Sequence, residues 1–264
     1  MNDADPGNTV ERWLWAIASR GLDELDAARW AELTEGATVL ERAPSGNVAL
    51  RRPDGSVVKS FRHRRALSSA LWRPYALRFV DNARELVRRG VPSVEIEGIW
   101  NDRRRRRHVV HYRWLEGETL AEVFASCDGS ERSEALMERL ARFVARLHER
   151  GVYFRSLHFA NLVVVSGGEL GLIDVADVAF SSRPLARQSR LRNFEHLWRY
   201  REDVEVLETF GLARFVAAYV AELPVAGWGP SRRRALERAL VARLGGLDRR
   251  GHSRSRPLKT RAGP

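Results

Sequence analysis

The sequence predicts an α+β fold in two parts, a β-rich half with one helix followed by a mainly helical half. Three observations predict it. Short β-type runs separated by turn residues fill the stretch after Val39. Beyond Gly117 apolar residues recur at helical spacing. One small hairpin, between Leu162 and Ile173, interrupts that second half.

Residues 9–34 read as helix, because Val10, Trp13, Leu14 and Ile17, then Leu22, Leu25, Ala28 and Leu33, follow the helical period. Val39-Leu40, Asn47 to Leu50 and Ser56 to Lys59 then make an antiparallel meander of three strands. Their separators, Pro44-Ser45-Gly46 and Pro53-Asp54-Gly55, are turn sequences in which proline fixes φ and glycine accepts positive φ. A helix follows with Phe79, Ala83, Leu86 and Val87 on one face, stopped by Gly90-Val91-Pro92. Val94 to Trp100 and Val109 to Trp114 are strands around a turn of five arginines, Arg103 to Arg107. In the second half, Leu136, Leu140, Phe143, Val144 and Leu147 form an apolar stripe ending before Gly151. Leu162 to Val165 and Leu170 to Ile173 flank the turn Ser166-Gly167-Gly168, and Leu191 to Leu244 reads mainly as helices. The expected divisions are a helical extension over 1–37, a β-rich lobe over 38–116, a helical lobe over 117–248 and a basic tail over 249–264. The tail is rich in Gly, Ser and Pro without periodicity and is expected to be disordered.

At 264 residues the chain fits one domain of two lobes or two small domains, and 44% hydrophobic residues supply a real core. Its 45 Lys and Arg against 34 Asp and Glu give a net charge of +11. Such a surface attracts polyanions: nucleic acid, anionic membrane or phosphorylated sugars. Cys127 is the only cysteine, which excludes an internal disulfide framework and a thiolate metal cluster. No run approaches the roughly 18 apolar residues of a spanning helix. The N-terminus is acidic and the apolar patch from Trp13 to Ala18 is too short for a signal-peptide core. The expected location is the cytoplasm, with room for peripheral contact with the inner face of a membrane.

The chemistry concentrates between Leu147 and Ala176. Protein kinase catalytic loops read H-R-D-L-x-x-x-N, followed after a hairpin by D-F-G. Here Phe154-Arg155-Ser156-Leu157 precedes Asn161 at that spacing, and Asp174-Val175-Ala176 stands thirteen residues beyond Asn161. An amide oxygen and a carboxylate on neighbouring strand ends can grip one Mg²⁺ between the phosphates of ATP. The plainer reading makes Asn161 and Asp174 turn residues bounding a hairpin; the combination of helix, loop, hairpin and aspartate favours the metal site. Upstream, Val57-Val58-Lys59 matches the V-A-I-K strand whose lysine pairs with the α- and β-phosphates. The glycine-rich loop is reduced to Gly46, and the helix carboxylate for Lys59 falls to Asp81 or Glu85.

The aspartate of H-R-D is Ser156 here. A hydroxyl cannot take the substrate proton as a carboxylate does, and such assistance contributes about 10²–10⁴-fold. His158, two residues on, is a substitute base or a γ-phosphate contact, or else a hydrogen-bonded structural histidine. Trp13, Trp30, Trp72 and Trp198 fall on helical apolar faces and read as core, with Trp72 also suited to a membrane surface.

Several stretches carry a family resemblance: Lys59 to Ala76, Asn82 to Leu86, Gly90-Val91-Pro92, Tyr153 to His158 and Asn193 to Tyr200. From about Thr38 to Leu223 the chain resembles the lipopolysaccharide kinase family, the Kdo and heptose kinases of the Gram-negative inner core, in particular the toluene-tolerance-type branch. The resemblance implies a two-lobed protein-kinase-like fold, ATP and Mg²⁺ as cofactors, and phosphate transfer to an inner-core sugar hydroxyl. Its acceptor would be lipid-linked lipopolysaccharide core at the anionic cytoplasmic face of the inner membrane. Two other classes stay open. One is a pseudokinase acting as regulator or scaffold, favoured by Ser156 and the thin glycine loop. The other is a nucleic-acid-binding protein, which charge alone supports and which is not expected.

Overall fold

The computed structural model describes residues 19–42, 48–62, 74–126 and 131–248, together with Ser255. They form two compact units, divided at Leu86/Val87, Ser93/Val94 and Trp114/Leu115.

The first unit is built on six strands: β1 (Asp23–Glu24), β2 (Thr38–Arg42), β3 (Val48–Arg51), β4 (Val57–Arg62), β5 (Glu95–Asp102) and β6 (Arg107–Arg113). Their order is β1-β5-β6-β4-β3-β2, antiparallel throughout except for β1 against β5. The β3–β4 turn forms as its residues require. Gly55 has φ +82, and Asp54 Oδ1 accepts from the Ser56 amide at 2.9 Å and its hydroxyl at 2.6 Å. The arginine turn occupies 103–106, and Arg107 already belongs to β6. Within it Arg105 pairs with the buried Asp102 at 3.4 Å.

The single helix expected over 9–34 is corrected within the described residues; 9–18 lie outside them. Gly21 turns the chain at φ +79, Asp23–Glu24 pair in parallel with Trp100 and Asn101, and helix α1 (Ala27–Thr34) starts afresh. Asp26 starts it by accepting from the Arg29 amide at 2.7 Å, an N-cap that apolar periodicity conceals. Leu33 of α1 packs on Val58 and Val109, with Trp30 half-buried beside them, and so covers one face of the sheet.

Helix α2 (Tyr75–Arg88) covers the other face. The Phe79 ring lies 5.6 Å from Phe61 and 5.2 Å from Tyr112. Phe79, Ala83 and Leu86 are buried as expected, but Val87 is 56% exposed. The buried stripe stops at Leu86, where the chain leaves the first unit.

The second unit contains β7 (Glu118–Thr119), α3 (Leu120–Ser126), α4 (Glu131–Glu149), β8 (Val152–Phe154), β9 (Leu162–Val164), β10 (Leu170–Leu172), β11 (Val178–Phe180), α5 (Arg187–Phe194), α6 (Arg201–Phe210), α7 (Leu212–Glu222) and α8 (Pro230–Asp248). The stripe of α4 from Leu136 to Leu147 is buried, as is Trp198. β10-β9-β7 form one small sheet, and β11 pairs with β8 in another. Gly151 closes α4 onto β8 at φ +71; a Cβ there would meet the Ser181 carbonyl at 2.4 Å. The expected tail lies outside the described residues apart from Ser255, as do Trp13, Trp72 and the turn holding Gly46. Across both units the fold is α+β, with a helix between the fourth and fifth strands and a loop-and-hairpin inside the helical unit. That is the element order of a protein-kinase-like fold.

Candidate active site

β8 runs into Arg155-Ser156-Leu157-His158, then a single 3₁₀ turn (Phe159–Asn161), then β9. Leu157 and Phe159 are buried and pin this loop to the core. Two polar side chains from distant helices hold its backbone. Asn193 of α5 donates through Nδ2 to the Phe154 carbonyl at 2.7 Å. Asp203 of α6 accepts from the Phe159 amide at 3.0 Å. Both are at most 1% exposed. Buried polar groups of this kind persist only when hydrogen-bonded, so the loop has one geometry.

Asn161 Nδ2 donates to the Ser156 carbonyl at 3.0 Å and lies 3.1 Å from His158 Nε2. With Nδ2 so engaged, His158 Nε2 is an acceptor, and the carbonyl Oδ1 of Asn161 is the end turned away from these two partners. The Ile173 amide donates to the Asn161 carbonyl at 3.1 Å, which ties the far end of the hairpin to the loop. Asp174 follows, exposed and in the left-handed conformation at φ 55, ψ 47. Asp tolerates that region better than most residues, and the buried Val175 and Ala176 fix it from behind. The amide of Arg155 donates to the Asp177 carbonyl at 3.2 Å, joining the same segment to the loop.

Asn161 and Asp174 thus leave neighbouring ends of one hairpin, as their spacing predicts. One amide oxygen and one carboxylate fit Mg²⁺, which keeps waters and substrate phosphates in its shell. Among the described residues no group of three or more His, Cys, Asp or Glu side chains is placed to hold a metal, so an all-protein cage is not offered. Ser156 is half-buried at the loop head. His158 is 8% exposed, its ring edge-on to Tyr200 at 4.9 Å and 89°.

Lys59 belongs to the first unit, where it pairs with Ala49 and Val110 across the sheet. Its ammonium lies 5.4 Å from the Phe61 ring and 5.8 Å from that of Phe79, on the α2 side. Of the helix carboxylates, Asp81 is exposed and Glu85 half-buried, while Asn82 beside them is buried.

A buried chain of hydrogen bonds behind the loop escapes sequence reasoning. Arg190 donates to the Tyr219 oxygen at 3.0 Å and pairs with Glu149 at 2.6 Å. The Tyr219 hydroxyl donates to His148 Nδ1 at 2.8 Å, and His148 Nε2 donates to Asn193 Oδ1 at 3.1 Å. Burial, reinforced by Arg190, lowers the His148 pKa to about 3, so the imidazole is neutral and this direction is fixed. Burial also pushes the Tyr219 phenol up. The only sequence signal was a polar residue at each of several positions where the helical period calls for apolar ones.

No family model and no curated protein matches the chain. Among solved structures it is similar to the bifunctional kinase-methyltransferase WbdD. In the complex of WbdD with the kinase inhibitor LY294002, identity is 17% over 76% of this chain, with TM-score 0.46. The chain spans 44% of that WbdD chain. It is also similar to a divergent kinase lacking the glycine-rich loop, which regulates membrane ultrastructure of the Toxoplasma parasitophorous vacuole. There identity is 13%, coverage 86% of this chain and 95% of that one, and TM-score 0.49.

Proposed function

We propose that the chain is an ATP-dependent phosphotransferase acting on a sugar, heptose or Kdo, of the lipopolysaccharide inner core. The observation that carries this reading is the engaged amide of Asn161 at the head of a hairpin whose other strand ends at Asp174. Asn161 Oδ1 and the Asp174 carboxylate would hold Mg²⁺, and Lys59 would hold phosphates. When bound, Mg²⁺-ATP supplies the phosphoryl group and neutralises the charge that develops on it. Phosphoryl transfer depends mainly on positioning and charge stabilisation, so a site without the usual aspartate retains a route to activity. Ser156 occupies the base position and His158 shares the loop, held against the Asn161 amide. The stretches that resemble lipopolysaccharide kinases favour that acceptor, and the net charge of +11 suits an anionic membrane face. Among the described residues no helix is long and apolar enough to cross a membrane, which fits peripheral contact.

Counting phosphates on core oligosaccharide from cells with and without the gene tests the proposal; a lower count without it is expected. The second reading, a pseudokinase that binds nucleotide and regulates or scaffolds, is favoured by Ser156. Binding of Mg²⁺-ATP with no phosphate transferred to core lipopolysaccharide would select it.

A further inference from the structure

The outward side of the catalytic loop is a set of hydrogen-bond donors. Val152 and Phe154 of β8 are buried, so strand alternation turns Tyr153 outward, and Arg155 follows it directly before Ser156. Arg199 donates to the Arg155 carbonyl at 2.8 Å and to His196 Nδ1 at 3.2 Å. That second bond leaves the imidazole proton on Nε2, which lies 3.3 Å from the Tyr153 oxygen. Burial, with Arg199 adding to it, lowers the His196 pKa to about 4, so this neutral tautomer holds. The Tyr153 oxygen therefore accepts from His196 and its own hydrogen points elsewhere. Its pKa is raised by burial, and among the charges acting on it are Arg155, Glu195 and Arg192. Glu195 is the acidic group of this cluster, and Arg243 holds it in an ion pair. Arg155 and Arg192 are both exposed, and neither guanidinium has an acidic partner among the described residues.

We propose that Tyr153, Arg155, Arg192 and Arg199 form a subsite for an oxyanion, a phosphate or carboxylate carried by the acceptor next to its reacting hydroxyl. The proposal rests on the phosphotransferase reading for the word acceptor, but not for the binding itself. A hydroxyl donor beside three guanidiniums matches an oxyanion and repels a cation. Because Arg155 immediately precedes Ser156, an acceptor anchored here is held beside the position where an aspartate would ordinarily stand.

The test is a titration of the full-length protein with inorganic phosphate, read at the ring resonances of Tyr153 and His196. The comparison is the double variant Arg155→Gln, Arg192→Gln, whose side chains are exposed and make no ion pair among the described residues. The expected result is saturable shifts of both rings in the wild type. Affinity should be about tenfold or more weaker in the variant, since charged hydrogen bonds are lost. Mg²⁺-ATP affinity and binding to vesicles containing anionic lipid should be unchanged. Absence of ring shifts, or equal affinity in the variant, overturns the subsite. So does a variant that loses vesicle binding while the wild type shows no phosphate shift, which would identify a diffuse membrane-facing patch. The readout needs no nucleotide, so a protein that shows the shifts without transferring phosphate keeps the subsite and loses only the catalytic reading.

Discussion

Asn161 and His158 are joined side chain to side chain, Nδ2 to Nε2, at 3.1 Å, within a loop whose next residues start the β9–β10 hairpin. The imidazole therefore reaches the proposed cation site through the amide that it orients. Removing it leaves that amide held by the Ser156 carbonyl alone among these two partners.

The Mg²⁺-dependent part of ATP affinity should accordingly fall several-fold in His158→Ala, the scale of one hydrogen bond at about 1 kcal/mol. Ser156→Ala keeps the carbonyl that Asn161 uses and should leave that affinity near the wild-type value. Phosphate transfer should drop more in His158→Ala than in Ser156→Ala. Calorimetry with and without Mg²⁺, beside turnover on core lipopolysaccharide, measures both. Equal behaviour of the two variants would contradict the coupling.

The loop clamps should be stability determinants. Asn193→Ala leaves the Phe154 carbonyl and His148 without their partner in a fully buried setting. A cost of about 2–6 kcal/mol is expected, because each of the two orphaned buried groups loses about 1–3 kcal/mol. Asp203→Ala should behave alike through the Phe159 amide. Urea denaturation checks both; an unchanged midpoint would show that the clamps carry no load.

Acid should weaken the second unit through His148. Its folded pKa is lowered from 6.5 to about 3 by burial, so the fold binds fewer protons than the unfolded chain. The stabilisation from the neutral, hydrogen-bonded imidazole is thus complete above about pH 6.5 and is lost progressively as pH falls towards 3. His196, lowered to about 4, acts in the same direction. Unfolding free energy should decline between pH 7 and 4, and His148→Gln should flatten that slope. An identical slope in the variant would remove His148 as its source.

Much of this was legible because the periods are local. The β-type run Ser56 to Lys59, set off by the turn Pro53-Asp54-Gly55, placed Lys59 on a strand, and the stripe from Leu136 to Leu147 gave the long helix. Spacing alone put Asn161 and Asp174 at the two ends of one hairpin. Where the helical period ran on through Leu22 and Leu25, it hid the break at Gly21 and the cap at Asp26. Asn193 and Asp203 were hidden for another reason. Their partners, Phe154 and Phe159, lie about forty residues upstream, so the pairing exists only once the helices pack.

Anionic vesicles should bind the protein in a strongly salt-dependent way. A net charge of +11 attracts them at low ionic strength, and screening over about 8 Å at physiological salt should weaken the contact. Serines in place of Arg103 to Arg107 should reduce binding if that turn faces the surface. Salt-insensitive binding would point to an apolar anchor instead.

Asn161 and Asp174 are proposed to form a cation site for nucleotide. Calorimetric ATP affinity, with and without Mg²⁺, in the wild type and in Asp174→Ala tests it directly, with circular dichroism to confirm folding. Asp174 is exposed and bounds a hairpin held by other groups, so the variant should fold. Mg²⁺ should strengthen ATP binding in the wild type, and most of this gain should disappear in Asp174→Ala. An undiminished Mg²⁺-dependent gain in the folded variant would contradict it.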